Sequence, residues 1–487
     1  MKLKLIIGIV GILSACGFTN APSLDTNQEK QDNNWVIGPF LRPEGVNPVI
    51  SPQPTEFYCP MRKQQVKWEE SDTFNPAATV KDGKIVVLYR AEDNSAQGIG
   101  KRTSRVGYAE SKDGIEMKRL DNPVLFPAED NFKDQDWPGG CEDPRVAMTE
   151  DGLYVMLYTA WNRKKARLAV ATSRDLKNWT KHGLAFDKAY NGRFNDLFCK
   201  SGSILTKLKG NQLVIDKVDG KYLMYWGEYA VYAATSDNLV DWYPVLDEKN
   251  ELMKIIQPRK GHFDSLLTEC GPPAIRTKHG IVLMYNGKNS GKTGDANYPG
   301  NAYCAGQLLL DGNDPYKVLD RLDKPFFAPE APFEKSGQYK DGTVFIEGLV
   351  YHKKKLYLYY GCADSQVAVA VCDDVKEMLG ILTEIVDKEA GKLSEPYEIS
   401  GFTQGKHLVE EHNKKPFHII FLDIFMPGMS GFEAAEQIGE INRGPYLIFV
   451  TSKEELVFDS FDYYPFYFMR KRDIEGMRMD MHKIFSK

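Results

Sequence analysis

Short apolar runs recur along the chain, each entered from a polar turn. Asp82-Gly83 leads into Lys84 to Arg90, Asp151-Gly152 into Leu153 to Thr159, Asp219-Gly220 into Lys221 to Gly227, and His279-Gly280 into Ile281 to Gly287. These runs are rich in β-branched and aromatic residues and contain Tyr89, Tyr158, Tyr225 or Tyr285, the pattern of a strand leaving a tight turn. A fifth copy without the glycine, Lys353-Lys354-Lys355, leads into Leu356 to Gly361. The spacing, roughly 60–75 residues, suits a four-stranded sheet with its loops. Ser173 to Trp179 recurs as Ser236 to Trp242, and Leu120-Asp121-Asn122-Pro123 as Leu322-Asp323-Lys324-Pro325. Five such units between about residues 70 and 371 predict a mainly β, five-bladed propeller. Equivalent strand ends would then converge on the axis, so Arg90, Trp226, Glu228, Asn286 and Asp364 are expected to line a central pocket.

The pattern changes after Asp364. Val367 to Val371 is continuously apolar and ends in Cys372-Asp373-Asp374, and Met378, Leu379, Leu382 and Ile385 follow at helical spacing. Two further apolar runs end in Asp423 and in Thr451-Ser452. Buried strands alternating with helices predict an α/β doubly wound (flavodoxin-like) domain with its site at the strands' carboxyl ends. At the other end of the chain, Lys2 and Lys4 precede an apolar run closed by Ser14-Ala15-Cys16, which reads as an export signal too short to span a bilayer. Residues 17–34 are polar and read as a tether. The expected domains are therefore a signal at 1–16, a propeller at 35–366 and a second domain at 367–487. Both domains claim the strand at 367–372.

Composition narrows the function. The chain has 487 residues, and its 62 basic residues face 67 acidic ones for a net charge of −5. That lacks the basic excess nucleic-acid binding needs, so no nucleic-acid partner is expected. The eight cysteines and eight histidines show neither a disulfide framework nor metal-ligand spacing, which leaves buried thiols.

Three acids stand in apolar or glycine-rich company: Asp143 in Cys141-Glu142-Asp143-Pro144-Arg145, Glu228 in Tyr225-Trp226-Gly227-Glu228, and Glu269 in Leu267-Thr268-Glu269-Cys270-Gly271. Cleaving a glycosidic bond needs one carboxyl to protonate the leaving oxygen and another to activate water. Tyr89-Arg90-Ala91, Glu142 to Arg145, Lys200-Ser201-Gly202, Gly220-Lys221-Tyr222 and Cys270-Gly271-Pro272-Pro273 together resemble glycoside hydrolase family 130, the β-mannoside phosphorylases and β-mannosidases. The resemblance spans about residues 35–371. It implies a cofactor-free propeller enzyme acting on β-mannoside oligosaccharides, with Asp143 as general acid. Arg90, Arg145, Lys200, Asn286, Asp341 and Asp364 are expected to hold substrate. Phosphorylase members carry basic residues where this chain has Trp226-Gly227-Glu228 and Asn286-Gly287, and a small residue at the place of Glu269. The expectation is therefore an inverting β-mannosidase in which Glu228 and Glu269 activate water, with a phosphorylase as the alternative.

Leu13-Ser14-Ala15-Cys16 resembles a lipobox, which implies lipidation of Cys16 and an exported, membrane-anchored lipoprotein. The C-terminal motifs resemble a response-regulator receiver domain of the LytTR-associated type. They are Asp373-Asp374, Asp423 to Gly428, Thr451-Ser452 and Phe468-Met469-Arg470-Lys471. This resemblance implies phosphorylation at Asp423, Mg²⁺ held by Asp373, Asp374 and Asp423, and a switch formed by Thr451 and Lys471. It also implies a histidine kinase as partner if the chain stays in the cytoplasm, which conflicts with export. A join of two genes at Val-Ala-Val-Cys-Asp would account for the contested strand. Signalling by the receiver, with the propeller as sugar sensor or passenger, is a further alternative.

Overall fold

The computed structural model describes residues 3–8, 35–43, 45–373, 375–392, 396–402, 405–424, 429–441, 444–451, 457–470 and 474–486. The chain divides into two compact units, Phe40–Cys372 and Met1–Pro39 with Asp373–Lys487.

The larger unit is almost entirely β. Its strands form five successive antiparallel meanders. The first runs through Asp72–Lys81, Lys84–Glu92 and Ser104–Ser111, and the second through Gly140–Met148, Tyr154–Trp161, Ala166–Ser173 and Thr180–Leu184. The third is built on Ser203–Lys209, Lys221–Trp226, Val231–Ser236 and Trp242–Pro244, and the fourth on Ala274–Thr277, Gly280–Lys288, Tyr303–Leu310 and Val318–Arg321. Val344–His352, Lys355–Cys362 and Gln366–Asp373 make the fifth. Parallel pairing at Ser104↔Gly140 joins the first meander to the second, and Leu205↔Ala274 starts the parallel pairing that joins the third to the fourth. Gly140 is at φ 123°, and a Cβ there would sit 2.1 Å from the Ser104 carbonyl oxygen, so the junction requires glycine.

The repeated tyrosines mark a repeated packing device. Tyr89 donates its hydroxyl to Glu69 at 2.7 Å, Tyr285 to Asp264 at 2.7 Å and Tyr360 to Glu334 at 2.8 Å. Each of these acids is buried and also meets an arginine: Arg119 at 3.1 Å, Arg321 at 2.6 Å and Arg42 at 2.6 Å respectively. Tyr225 departs from the pattern and donates to the Pro315 carbonyl. A buried carboxylate is tolerable only when its charge and lone pairs are matched, and the tyrosine and arginine together do that.

The contested strand belongs to the larger unit. Gln366–Asp373 pairs with Lys355–Cys362 on one edge. On its other edge Leu41 and Val371 exchange backbone hydrogen bonds at 2.9 and 2.8 Å, and the Asn47 side chain bonds both backbone groups of Val369. With both edges occupied, residues 367–372 have no free ladder to offer a second sheet.

The smaller unit contains a five-stranded sheet in the order Tyr397–Phe402, Leu3–Gly8, Ile419–Asp423, Tyr446–Thr451, Tyr467–Arg470, all parallel. Alternation along its strands sends Phe421, Ile448 and Val450 to a core with Leu382, Ile385, Met477 and Met481. Ile420, Leu422, Leu447 and Phe449 pack on the other side with Leu408, Ala434 and Ile438. The place expected for residues 367–372 is taken by Leu3–Gly8, where Leu5 pairs with both Ile399 and Ile419. These residues belong to the apolar run that reads as an export signal. Cys16 and the tether lie outside the described residues. Among the described residues no helix is long and apolar enough to cross a membrane.

Candidate active site

The first strands of three meanders each carry a β-bulge, at Asn75 in Asp72–Lys81, at Asp143-Pro144 in Gly140–Met148 and at Glu347 in Val344–His352. A bulge inserts an unpaired residue and re-aims its side chain. Asn75 and Asp143 have φ of 45° and 47°, and Ser201 and Asp364 also lie in the left-handed region at 63° and 52°. Non-glycine residues in this conformation gather where a site over-determines the backbone.

Asp143 is 3% exposed and sits at the centre of the polar network. Its Oδ1 accepts from Asn75 Nδ2 at 2.8 Å and from Arg90 Nη1 at 3.0 Å, and its Oδ2 lies 3.9 Å from Lys200 Nζ. Arg90 also meets Glu92 at 2.6 Å and Glu142 at 2.8 Å. Lys200 Nζ lies 3.6 Å from Glu228 and 3.3 Å from Glu269, whose carboxylate further accepts from the Ser201 hydroxyl. One ammonium thus gathers the three acids singled out in the sequence.

Electrostatics divides these acids. Burial pushes Asp143 up, but Arg90, Lys200 and the Asn75 hydrogen bond outweigh it and hold the carboxyl below the usual carboxylate range. Glu142 is pushed up to about 7 by burial, against Arg90 and with help from Asp143 and Glu92. Asp364 reaches about 7 for the same reasons. Burial also raises Glu269, with Lys200 opposing and Glu228 adding to the rise.

Several expected pocket residues have other work. Trp226 is buried in the core, its ring 4.7 Å from Phe186 and 4.9 Å from Tyr232. Asn286 is fully buried and its amide is used on the Ile346 backbone, donating to the carbonyl at 3.1 Å and accepting from N–H at 2.8 Å. It holds the strand ahead of the Glu347 bulge. Asp341 is exposed on the turn before Val344–His352. Arg145 is buried among backbone carbonyls. Asn75, Glu92, Glu142, Ser201 and Glu347 complete the network without having been singled out as site residues. A polar residue inside an apolar strand, as in Phe74-Asn75-Pro76 and Ile346-Glu347-Gly348, is the sequence signal that marks two of them.

In the smaller unit, Asp423 and Thr451 are buried at the carboxyl ends of adjacent strands. Asp373 closes the strand Gln366–Asp373, and Asp374 and Lys471 lie outside the described residues. The strand between Tyr397–Phe402 and Ile419–Asp423 is Leu3–Gly8, and among the described residues Asp423 is the expected Mg²⁺ ligand that this sheet carries.

Comparisons with known proteins agree on the larger unit. A 1,2-β-oligomannan phosphorylase of Thermoanaerobacter sp. (strain X514) is 34% identical over 323 residues, covering 65% of this chain and 95% of the relative. A crystal structure of a candidate glycoside hydrolase from Bacteroides ovatus ATCC 8483 is 96% identical, with TM-score 0.69, covering 71% of this chain and 99% of its own. Another structure is 63% identical with TM-score 0.69, covering 70% of this chain and 95% of its own. It was reported with the finding that the GH130 family of mannoside phosphorylases contains glycoside hydrolases targeting β-1,2 mannosidic linkages in Candida mannan. A response regulator receiver domain matches residues 369–471. The family model described as β-1,4-mannooligosaccharide phosphorylase matches residues 49–384, more than half of the sequence, and the chain belongs to glycoside hydrolase family 130.

Proposed function

We propose that the five meanders are the blades of a propeller and that the larger unit hydrolyses β-mannosides, with β-1,2-linked manno-oligosaccharides as the substrate class and inversion at the anomeric carbon. The observation that carries this reading is the grouping of Asp143, Glu228 and Glu269 around Lys200. A water beside Glu228 and Glu269 meets two bases. A phosphate dianion in the same place meets two carboxylates and one ammonium already shared among three acids. At ~4 Å in a partly buried site each unit-charge pair is worth about 4 kcal/mol, so the added repulsions exceed the attraction. Asp143 delivers the proton to the leaving oxygen. In the resting site it is the anion of the cluster, and Glu142 and Asp364, which titrate near neutrality, hold the proton it draws on. The 63% identical structure reported with β-1,2-mannoside hydrolases supports the same reading.

A second reading, phosphorolysis, is favoured by the family description and by the curated relatives, which are phosphorylases at 34% and 31% identity. It assigns Lys200 to phosphate. Turnover of β-1,2-mannobiose with and without phosphate separates the two. Mannose alone in both conditions supports hydrolysis, whereas a strict phosphate requirement with mannose 1-phosphate as product replaces it with phosphorolysis.

For the smaller unit the proposed role is signalling, with Asp423 as phosphoryl acceptor and Thr451 as its neighbouring hydroxyl. Acetyl-phosphate labelling that disappears in Asp423→Ala supports it, and labelling that persists refutes it.

A further inference from the structure

Arg145 is 2% exposed and joins two parts of the site through one planar group. Its Nη1 donates to the Asp143 carbonyl at 3.2 Å, its Nη2 to the Cys270 carbonyl at 2.8 Å and its Nε to the Gly271 carbonyl at 3.0 Å. The backbone that carries the acid is thereby tied to the backbone immediately after Glu269. Beside that guanidinium lies Glu347, its Oε1 2.9 Å from Arg145 Nη2, a carboxyl that burial pushes up with Arg145 opposing and Asp143 and Glu269 adding to the rise. Glu347 is fully buried, and among the described residues neither of its oxygens has a well-aligned hydrogen-bond donor. As a stability device this is a poor one, because a buried ion pair is often replaced by apolar residues at no loss. Its placement is nevertheless tightly specified. Glu347 is the extra residue of its bulge, and the preceding Ile346 is gripped on both backbone groups by Asn286.

We propose that Glu347 is a positioning residue: acting through Arg145, it sets the separation between the Asp143 loop and the Glu269 strand. Glu347 touches no substrate in this role. It keeps the guanidinium in the plane that all three carbonyls need, so that acid and base face one glycosidic bond. Without the carboxylate, a buried unpaired guanidinium would turn toward the acids of the site and release the carbonyls it bridges.

This inference rests on the glycoside chemistry of the family and is indifferent to whether water or phosphate attacks. The test is mannobiose turnover by the full chain, with and without phosphate, for Glu347→Ala, Glu347→Gln and Arg145→Lys. Misplacement of about 1 Å can cost ~10²-fold in rate, so Glu347→Ala and Arg145→Lys are expected to lose about that much in kcat with KM little changed. Glu347→Gln keeps an oxygen facing Arg145 and is expected to stay within about tenfold of the parent. A Glu347→Ala variant with parental kcat overturns the proposal, as does a Glu347→Gln variant that falls as far as Arg145→Lys. If Glu347→Ala does not fold, the order of the other two variants decides. If the parent turns over mannobiose in neither condition, the functional reading fails separately. The positioning role is then decided by crystal structures of Glu347→Gln and Arg145→Lys. Loss of the bridge to the Asp143 carbonyl only in Arg145→Lys supports it, and any other pattern overturns it.

Discussion

The larger unit uses buried carboxylates in two ways. Around its sheets, Glu69, Asp264 and Glu334 each meet a tyrosine hydroxyl and an arginine, so each charge is matched locally. At the site the ratio is reversed: Glu92, Glu142 and Asp143 share Arg90, and Asp143, Glu228 and Glu269 share Lys200. The residue types are the same. A carboxylate with its own cation holds structure, whereas an excess of carboxylates over cations in a desolvated place pushes Glu142 and Asp364 up to about 7, where they can exchange protons. What separates scaffold from chemistry in this unit is therefore the local ratio of acids to cations.

That contrast can be broken at four points. The largest effect is expected from Asp143→Asn, which removes the proton donor and should lower kcat by about 10²–10⁴-fold while the fold is retained, as read by mannobiose turnover and circular dichroism. A smaller loss in rate but a diagnostic shift is expected from Lys200→Met. Lys200 lowers the affinity of Glu142, Asp364 and Glu269 for protons, so its removal must raise them. Activity that needs the proton held by Glu142 and Asp364 falls as pH rises through about 7. In Lys200→Met that alkaline limb should move to higher pH, and a limb that stays put or moves down would contradict the sharing of one ammonium.

The scaffold side predicts the opposite signature. Glu334→Ala removes a buried carboxylate that accepts from half-buried Arg42 and from Tyr360, leaves Arg42 with exposed Glu330, and should cost about 1–3 kcal/mol of stability, seen as a lower Tm, with kcat per folded molecule unchanged. Tyr89→Phe deletes a single hydrogen bond to Glu69 and should cost about 1 kcal/mol or less in chemical denaturation, again with unchanged turnover. A rate loss in either scaffold variant comparable to that of Lys200→Met would erase the distinction.

Much of this arrangement was legible because it is local. Turns and strands repeat with the tyrosines, and Asp143, Glu228 and Glu269 stand out by their neighbours in the chain. Being next to a repeated tyrosine does not say whether a side chain meets substrate, backbone or core. Asn286 is turned to Ile346, 60 residues away, and Trp226 to Phe186 and Tyr232. Glu347 was missed because its meaning depends on Arg145 and on a bulge whose register is set across the sheet.

The apolar runs at 3–8 and 366–373 show where the division falls. By itself the sequence determined that both runs are apolar, that five similar strand units precede a stretch of a different kind, and which acids keep unusual company. Only the tertiary structure decided that Gln366–Asp373 is held by Lys355–Cys362 and residues 41–50, and that Leu3–Gly8 fills the sheet of the smaller unit. The physical reason is that hydrophobicity specifies that a strand will be buried, while its partner is chosen by which edges still have unpaired N–H and C=O groups, and those edges come from residues hundreds of positions away.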